Sequence, residues 1–389
     1  MASTDTTNQN NGGLDETTDP VLKVSGLTKI YDDQTLAVDD IDFQVANGDF
    51  CVVIGPSGCG KSTTLHSLVG KVEPTDGTIW LADKDITDSP TYERDIGLVF
   101  QDFQLFPHLS VRENIKYGLD RLGESGMTKK VDNLVEIMKL EDLADRKPEE
   151  LSAGQKQRVA LARSLVLEPE LLLLDEPLGD LDYKLQKRME RELLRLHRQL
   201  DTTFIYVTHD QTQAMRLADQ IVVMNDGKVE QSGTVDEVYN HPETAFVAAF
   251  LGDSNIFFGE ITDVDDGVAI VESEYGSFQA STTNLDSQPE SVVGQEMPLF
   301  VRPQHVSLDS DACNTIDCRV EDVIYQPGSG TQIVLTTVSD GKELQLKTPD
   351  AIEDVPERVT VGWSSEHTTL LERTSVVSTV NLEKDILGE

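Results

Sequence analysis

The segment GPSGCGKST, residues 55–63, carries the spacing G-x-x-x-x-G-K-[ST] in Gly55, Gly60, Lys61 and Ser62. Glycines at those points let a backbone wrap phosphates, and a helix that begins there turns its NH groups and positive dipole end toward them. Lys61 is then placed to reach β- and γ-phosphates, and the Ser62 hydroxyl faces Mg2+. The candidate cradle is the whole stretch Gly55, Pro56, Ser57, Gly58, Cys59, Gly60, Lys61, Ser62 and Thr63. A glycine-rich turn without ligand is the competing reading, and the flanks oppose it: an apolar run precedes the loop and KSTTLHSLVG, with helical character, follows it.

Further along, Asp175 and Glu176 stand side by side after four leucines. The first is placed to hold Mg2+, directly or through water, and the second to orient or deprotonate an attacking water. His209, after TFIYVT, is placed to contact a γ-phosphate and that water; the other histidines, at 66, 108, 197, 241, 305 and 367, read as surface or packing residues. A second anion feature opens at residue 152. Ser152 is a good N-cap and Gln155 completes a capping box, so this helix start also attracts anions, yet no phosphate-binding lysine accompanies it. Many helices begin this way without binding anything, so capping alone is the competing reading of what otherwise is half an anion site beside a whole one.

Three buried-type runs position this chemistry: Phe50–Ile54, Leu171–Leu174 and the strand before His209. Continuous apolar runs suit strands of a parallel sheet covered on both faces, and ligands bind at the carboxyl ends of such strands. VLKVSGLTKIY and LAVDDIDFQVANGDF instead alternate, as half-buried antiparallel strands do. Residues 110–150 read as a helical insertion, with Val131, Leu134, Val135 and Met138 on one stripe. A helix is predicted over Leu181–Leu200, with Leu185, Met189, Leu193 and Leu196 inward and its basic residues forming a solvated face. From about residue 245 short alternating segments predict a small all-β domain, in which GEITDV and CRVEDV suggest a weak internal duplication.

Seventy acidic residues against 32 basic ones leave a net charge of −38, which would repel a phosphate backbone and argues against nucleic acid as a partner. The acids are scattered, so they read as a solvated shell suited to high salt rather than a binding tail. Cys51, Cys59, Cys313 and Cys318 form neither a disulfide framework nor a zinc site, as in a reducing compartment. Residues 1–20 read as a disordered polar tail without signal-peptide character, and no run is long and apolar enough to span a membrane.

Taken in order, GPSGCGKST, Gln101 in VFQD, LSAGQ, LLLLDEP, LGDLD and THD resemble the Walker A, Q-loop, signature, Walker B, D-loop and H-loop of an ATP-binding cassette (ABC) ATPase over about residues 21–250. The resemblance implies an α/β P-loop NTPase with antiparallel β and helical subdomains at 21–244, followed by an OB-like TOBE domain at 245–389. It implies that two copies pair head to tail, each signature helix closing over the ATP held by the other copy. The half site is then completed by a partner chain.

Within that resemblance Glu176, His209 and Lys61 are the catalytic set, and Ser62, Gln101 and Asp175 hold Mg2+. Tyr31 stacks on adenine, Ser152 and Gly154 contact the opposing γ-phosphate, and Asp182 lies at the dimer seam. Ala153 replaces the commoner signature glycine, and Gly179 with Asp180 replaces the usual Ser-Ala, which affects contact detail. LFPHLSVRENIKYGL resembles the segment with which importer cassettes grip a permease, and FVAAFLGDSNIF and VRPQHVSL resemble the regulatory domain of importers.

The implied function is ATP-driven import through integral membrane permease subunits at the cytoplasmic face, with an extracytoplasmic solute-binding protein as indirect partner. DSNIF and THDQTQAM look most like polyamine importer ATPases. Ferric iron, sulfate, molybdate, thiamine and sugars are the alternative solutes. Two rivals of another class are a soluble cassette protein acting on nucleic acid or ribosomes and a C-terminal half that serves as a small-molecule sensor.

Overall fold

The computed structural model describes residues 20–122, 127–179, 182–200, 202–283, 285, 287–308, 311–352 and 355–375. The expected tail lies outside these residues except for Pro20, as do Asp180 and Leu181 of the LGDLD segment. The chain forms two compact units that divide between Val235 and Asp236.

The first unit begins with β1 (Pro20–Ile30) and β2 (Leu36–Ala46), an antiparallel pair that alternates as its sequence predicts. After β3 (Phe50–Ile54) and α1 (Lys61–Leu68), β4 (Asp76–Leu81) and β5 (Lys84–Asp85) complete a four-stranded sheet in the order β2-β1-β4-β5. Next come β6 (Ile96–Val99) and three helices, α2 (Val111–Leu122), α3 (Met127–Ile137) and α4 (Ala153–Leu165). The stripe of Val131, Leu134, Val135 and Met138 is buried, as its periodicity predicts.

Then follow β7 (Leu171–Asp175), α5 (Tyr183–Leu200), β8 (Thr203–Thr208), α6 (Gln211–Leu217), β9 (Gln220–Asn225) and β10 (Lys228–Thr234). Of the predicted α5 stripe, Met189, Leu193 and Leu196 are buried and Leu185 half-buried.

The second sheet has the order β10-β9-β3-β8-β7-β6. All its pairings are parallel except β10 with β9. Every residue of β3 and β8 is buried, as are all four leucines of β7, because helices and the other sheet leave no face of these strands to water. The neighbours β3, β8 and β7 end level, Ile54 opposite Thr208 and Asp175 opposite Val207, so the three polar termini foreseen from sequence emerge side by side.

The second unit takes in α7 (Val235–Asn240) from Asp236 onward, and α8 (Ala245–Phe250). The contact boundary lies upstream of residue 244 because Arg302 binds this helical stretch: its guanidinium donates to the carbonyls of Tyr239, Ala248 and Leu251. Strands β11 (Asn255–Asp265), β12 (Val268–Ser273), β13 (Gly276–Ser281) and β14 (Glu296–Val301) follow. After them come β15 (Asn314–Gln326), β16 (Gly330–Thr337), β17 (Glu343–Thr348), β18 (Arg358–Trp363) and β19 (Thr369–Leu370). They build a closed barrel, β11-β12-β13-β19-β14, and a sheet, β17-β16-β15-β18.

GEITDV and CRVEDV occupy equivalent places in these two layers. Residues 255–260 of β11 pair with β14 and 260–265 with β12; residues 314–319 of β15 pair with β18 and 318–326 with β16. Both long strands carry an irregularity at the same point of the repeat, between Ile261 and Asp263 and between Val320 and Asp322. The equivalent asparagines reach across: Asn255 exchanges two hydrogen bonds of 2.8 Å with the backbone of Gln345, and Asn314 two of 2.7 and 2.8 Å with that of Gln279. Each half thus pins the third strand of the other, and the duplication sensed in six residues extends through the unit.

Candidate functional site

The loop at 55–61 takes its shape from glycine. A Cβ on Gly55 would lie 2.1 Å from the Met224 carbonyl oxygen of β9, and Gly60 has φ 100° with a would-be Cβ 2.4 Å from Ala37 O. No side chain fits at either position, so the backbone turns tightly there. The Lys61 ammonium is held inside the loop, donating to Gly55 O at 2.8 Å and Pro56 O at 2.7 Å, with Cys59 Sγ at 3.7 Å. Burial pushes the Cys59 thiol up, although Lys61 pulls the other way. Ser57, Gly58 and Ser62 are exposed. Tyr31 stands at the far end of the cradle, its hydroxyl 3.3 Å from Thr63 Oγ1 and its ring under Lys29.

Glu176 and His209 meet at the ends of β7 and β8, with Nδ1 3.2 Å from Oε1. Glu176 holds φ 42°, a left-handed conformation that a non-glycine residue adopts at an energetic cost. Two backbone bonds keep it there: its NH donates to Val207 O at 3.1 Å, and its carbonyl accepts from Gly179 N at 3.1 Å. Asp175 beside it is half-buried, and burial raises its carboxyl above the ordinary range while His66 pulls it down. Gln101 joins the same corner from the loop after β6. A Cβ on Gly179 would lie 3.6 Å from Gln101 Nε2 and 3.8 Å from Glu176 Oε2, so both side chains converge there. These are ordinary contacts, and a small side chain at 179 has room.

The Ser62 hydroxyl, the Asp175 carboxylate and the Gln101 amide offer hard oxygen donors, and a single carboxylate with a hydroxyl is the kind of set that holds Mg2+ together with substrate phosphates. Among the described residues no group of three or more His, Cys, Asp or Glu could hold a metal, and all four cysteines are free. Hard oxygen donors without sulfur or imidazole fit Mg2+ better than zinc.

The half site stands apart in its bonding. Ser152 is exposed at the start of α4, where Gln155 Oε1 accepts from its NH at 2.8 Å, as the predicted capping box requires. Gly154 packs on α5, where a Cβ would meet Met189 Sδ at 3.2 Å and Leu185 Cδ1 at 3.3 Å. Asp182 caps α5, its Oδ1 accepting from Leu185 N at 3.0 Å. Of the histidines read as packing residues, His197 is buried edge-on against Phe50 and Phe204.

Two side chains around the Gln101 loop escape sequence reasoning. Asn114 is fully buried, accepts from Phe106 N at 2.9 Å, and donates to the carbonyls of Phe106, Leu109 and Ser110 at 2.9–3.2 Å. Arg163 donates to Gln104 O at 2.7 Å and Phe103 O at 3.1 Å. A lone cation inside the apolar run VALARSLVL was the available signal for the second; the first, a polar residue in an amphipathic helix, had none.

A family profile described as ABC transporter matches residues 38–179, and one described as TOBE domain matches residues 299–371. A spermidine/putrescine import ATP-binding protein from Thermobifida fusca is 40% identical over 365 residues, covering 90% of this chain and 94% of that protein. An sn-glycerol-3-phosphate import ATP-binding protein from Yersinia pseudotuberculosis is 42% identical over 293 residues, covering 75% of this chain and 81% of that one. Among solved structures, cbiO1 from Clostridium perfringens, part of an ABC transporter complex, superposes with a TM-score of 0.54 at 34% identity, covering 57% of this chain and 90% of that one.

Proposed function

The chain belongs to the ATP-binding proteins of ABC importers, ATPases that couple hydrolysis to import, and on that premise we propose that it works as a head-to-tail pair energising uptake of a polyamine. The observation that carries the hydrolytic reading is the Glu176–His209 contact at strand ends next to the phosphate loop. In this reading the loop from Gly55 to Thr63 binds the phosphates of ATP, and Tyr31 stacks on its adenine. Lys61 turns its ammonium from the loop carbonyls to the β- and γ-phosphates. Glu176 orients the attacking water and takes its proton, and His209, in contact with Glu176, reaches the γ-phosphate.

Ser62, Asp175 and Gln101 would hold Mg2+, which supplies positive charge to the phosphate oxygens when bound. Ser152 and Gly154 of a second copy complete the charge stabilisation with a helix N-terminus, and Asp182 lies at the seam between copies. The exposure of Ser152 at that helix start supports this. Relatives named as import ATP-binding proteins support a peripheral subunit working on permease partners at the cytoplasmic face, and the described residues contain no helix long and apolar enough to cross a membrane. An extracytoplasmic solute-binding protein would deliver the solute to that permease. The polyamine is favoured because relatives named for spermidine and putrescine align over 87–95% of this chain, against 75% for the glycerol-phosphate relative.

Glu176→Gln tests both levels. The purified variant should bind ATP, hydrolyse it at least about a hundredfold more slowly and accumulate a dimer with Mg-ATP, and cells carrying it should lose spermidine uptake. Normal turnover would remove Glu176 from its role. Unchanged spermidine uptake alongside lost turnover would move the assignment to another solute.

A further inference from the structure

We propose that Arg163 is a positioning residue for hydrolysis: it fastens the loop carrying Gln101 to the helix whose other end presents Ser152 and Gly154. The role rests on the reading of Gln101 and Ser152 given above. The two carbonyls that accept from Arg163 belong to Phe103 and Gln104, which have φ of 58° and 42°. Consecutive non-glycine residues in the left-handed region hold only where outside contacts fix them. A planar guanidinium fork can take two adjacent carbonyls at once, which an ammonium does less well. The same group lies 5.4 Å from the Phe106 ring, so it grips the loop on both its polar and its apolar side.

Among the described residues no carboxylate pairs with Arg163, and burial alone holds its guanidinium below the usual arginine range. Removing such a group from water without a counter-ion is unfavourable unless backbone acceptors replace the lost hydration. Its neighbour Ser164 donates to Leu98 O of β6 at 2.9 Å, so the last turn of α4 holds both the strand before Gln101 and the loop after it. On the other side Lys71, just past α1, lies 5.6 Å from the Phe100 ring. Gln101 is therefore set between a segment tied to the phosphate-loop helix and one tied to α4. Because α4 is a continuous helix from Ala153 to Leu165, the placement of its N-terminus against a partner's nucleotide and the placement of Gln101 in its own site are joined by one rigid element.

Arg163→Met keeps the apolar stem and removes the donors. In the full-length protein it should leave the KM for ATP within about twofold and lower kcat about tenfold, while Arg163→Lys retains more of the rate. Combined with Gln101→Ala, the losses should fail to multiply, since both act through one amide. A folded Met variant with undiminished kcat, or losses that multiply, overturns the proposal. If the Met variant does not fold, the Lys variant enters the same cycle with the same criteria. Amide exchange over residues 101–104 separates this from the hydrolytic reading. Faster exchange in the Arg163 variants is expected even if Glu176→Gln turns over normally, and unchanged exchange would overturn the fastening itself.

Discussion

Gly55 shows how a single missing methyl shapes the loop proposed to bind nucleotide. Its absent Cβ leaves room for the Met224 carbonyl at the point where β3 must turn into the phosphate loop, and the same turn brings the Gly55 carbonyl to Lys61. In Gly55→Ala the added carbon has backbone as its neighbour, which cannot rotate away, so either β9 shifts or the loop opens. The expected result is loss of ATP binding with destabilisation of about 2–4 kcal/mol, measured by nucleotide titration and urea unfolding. An alanine variant that binds ATP as the wild type does would mean that the loop re-forms around a side chain. Glu176 is the complementary case. Its strained backbone is held by bonds to Val207 and Gly179, and that rigidity keeps the carboxylate against His209 instead of free in solvent.

At the scale of elements, the segment between the Gln101 loop and α2 is organised from within the helix. Asn114 supplies both an acceptor and donors to residues 106–110, so the stretch that resembles a permease grip is fixed by a buried amide. Asn114→Ala takes the side-chain partner from the part-buried Phe106 NH and Leu109 carbonyl, while Phe106 O and Ser110 O keep bonds from Leu109 N and Asn114 N, and stability should fall by about 1–3 kcal/mol. If the segment does meet a permease, stimulation of hydrolysis by permease-containing membranes should weaken more than basal hydrolysis does. Equal losses in both assays would confine Asn114 to a folding role. Similar logic governs the second unit, where Asn255 and Asn314 do for two sheets what one asparagine does for a loop. Apolar periodicity is legible in a sequence because it repeats, whereas one buried amide has no period. That is why periodic strands and helices can be read from the sequence and these clamps cannot.

For the molecule as a whole, the net charge of −38 bears on how its stability responds to salt. With 32 basic residues against 70 acidic ones, ion pairs cannot offset the repulsion, and several of the described pairs are exposed on both sides and individually weak. Repulsion between surface carboxylates falls as the screening length shrinks from about 10 Å at 0.1 M salt to about 3 Å at 1 M. The melting temperature should therefore rise by several degrees, roughly 5–10 °C, between those salt concentrations in scanning calorimetry. A flat or falling profile would show that the acidic shell is not the limiting term and would remove the case for salt adaptation.

Residue order alone determined the phosphate loop, the three buried strands that end in chemistry, the helical insertion and the all-β second half. Each of these is written in local spacing, as glycine positions, runs of apolar residues or a period of two or 3.6. The ordered set of motifs also carried the likeness to an importer ATPase. Only the tertiary structure decided that Gln101, Glu176 and Gly179 share one corner, that Met224 of a distant strand enforces Gly55, and that Arg163 ties two motifs together. The reason is that contacts between residues far apart in the chain depend on strand order and helix docking, and the order β10-β9-β3-β8-β7-β6 cannot be read from any single strand.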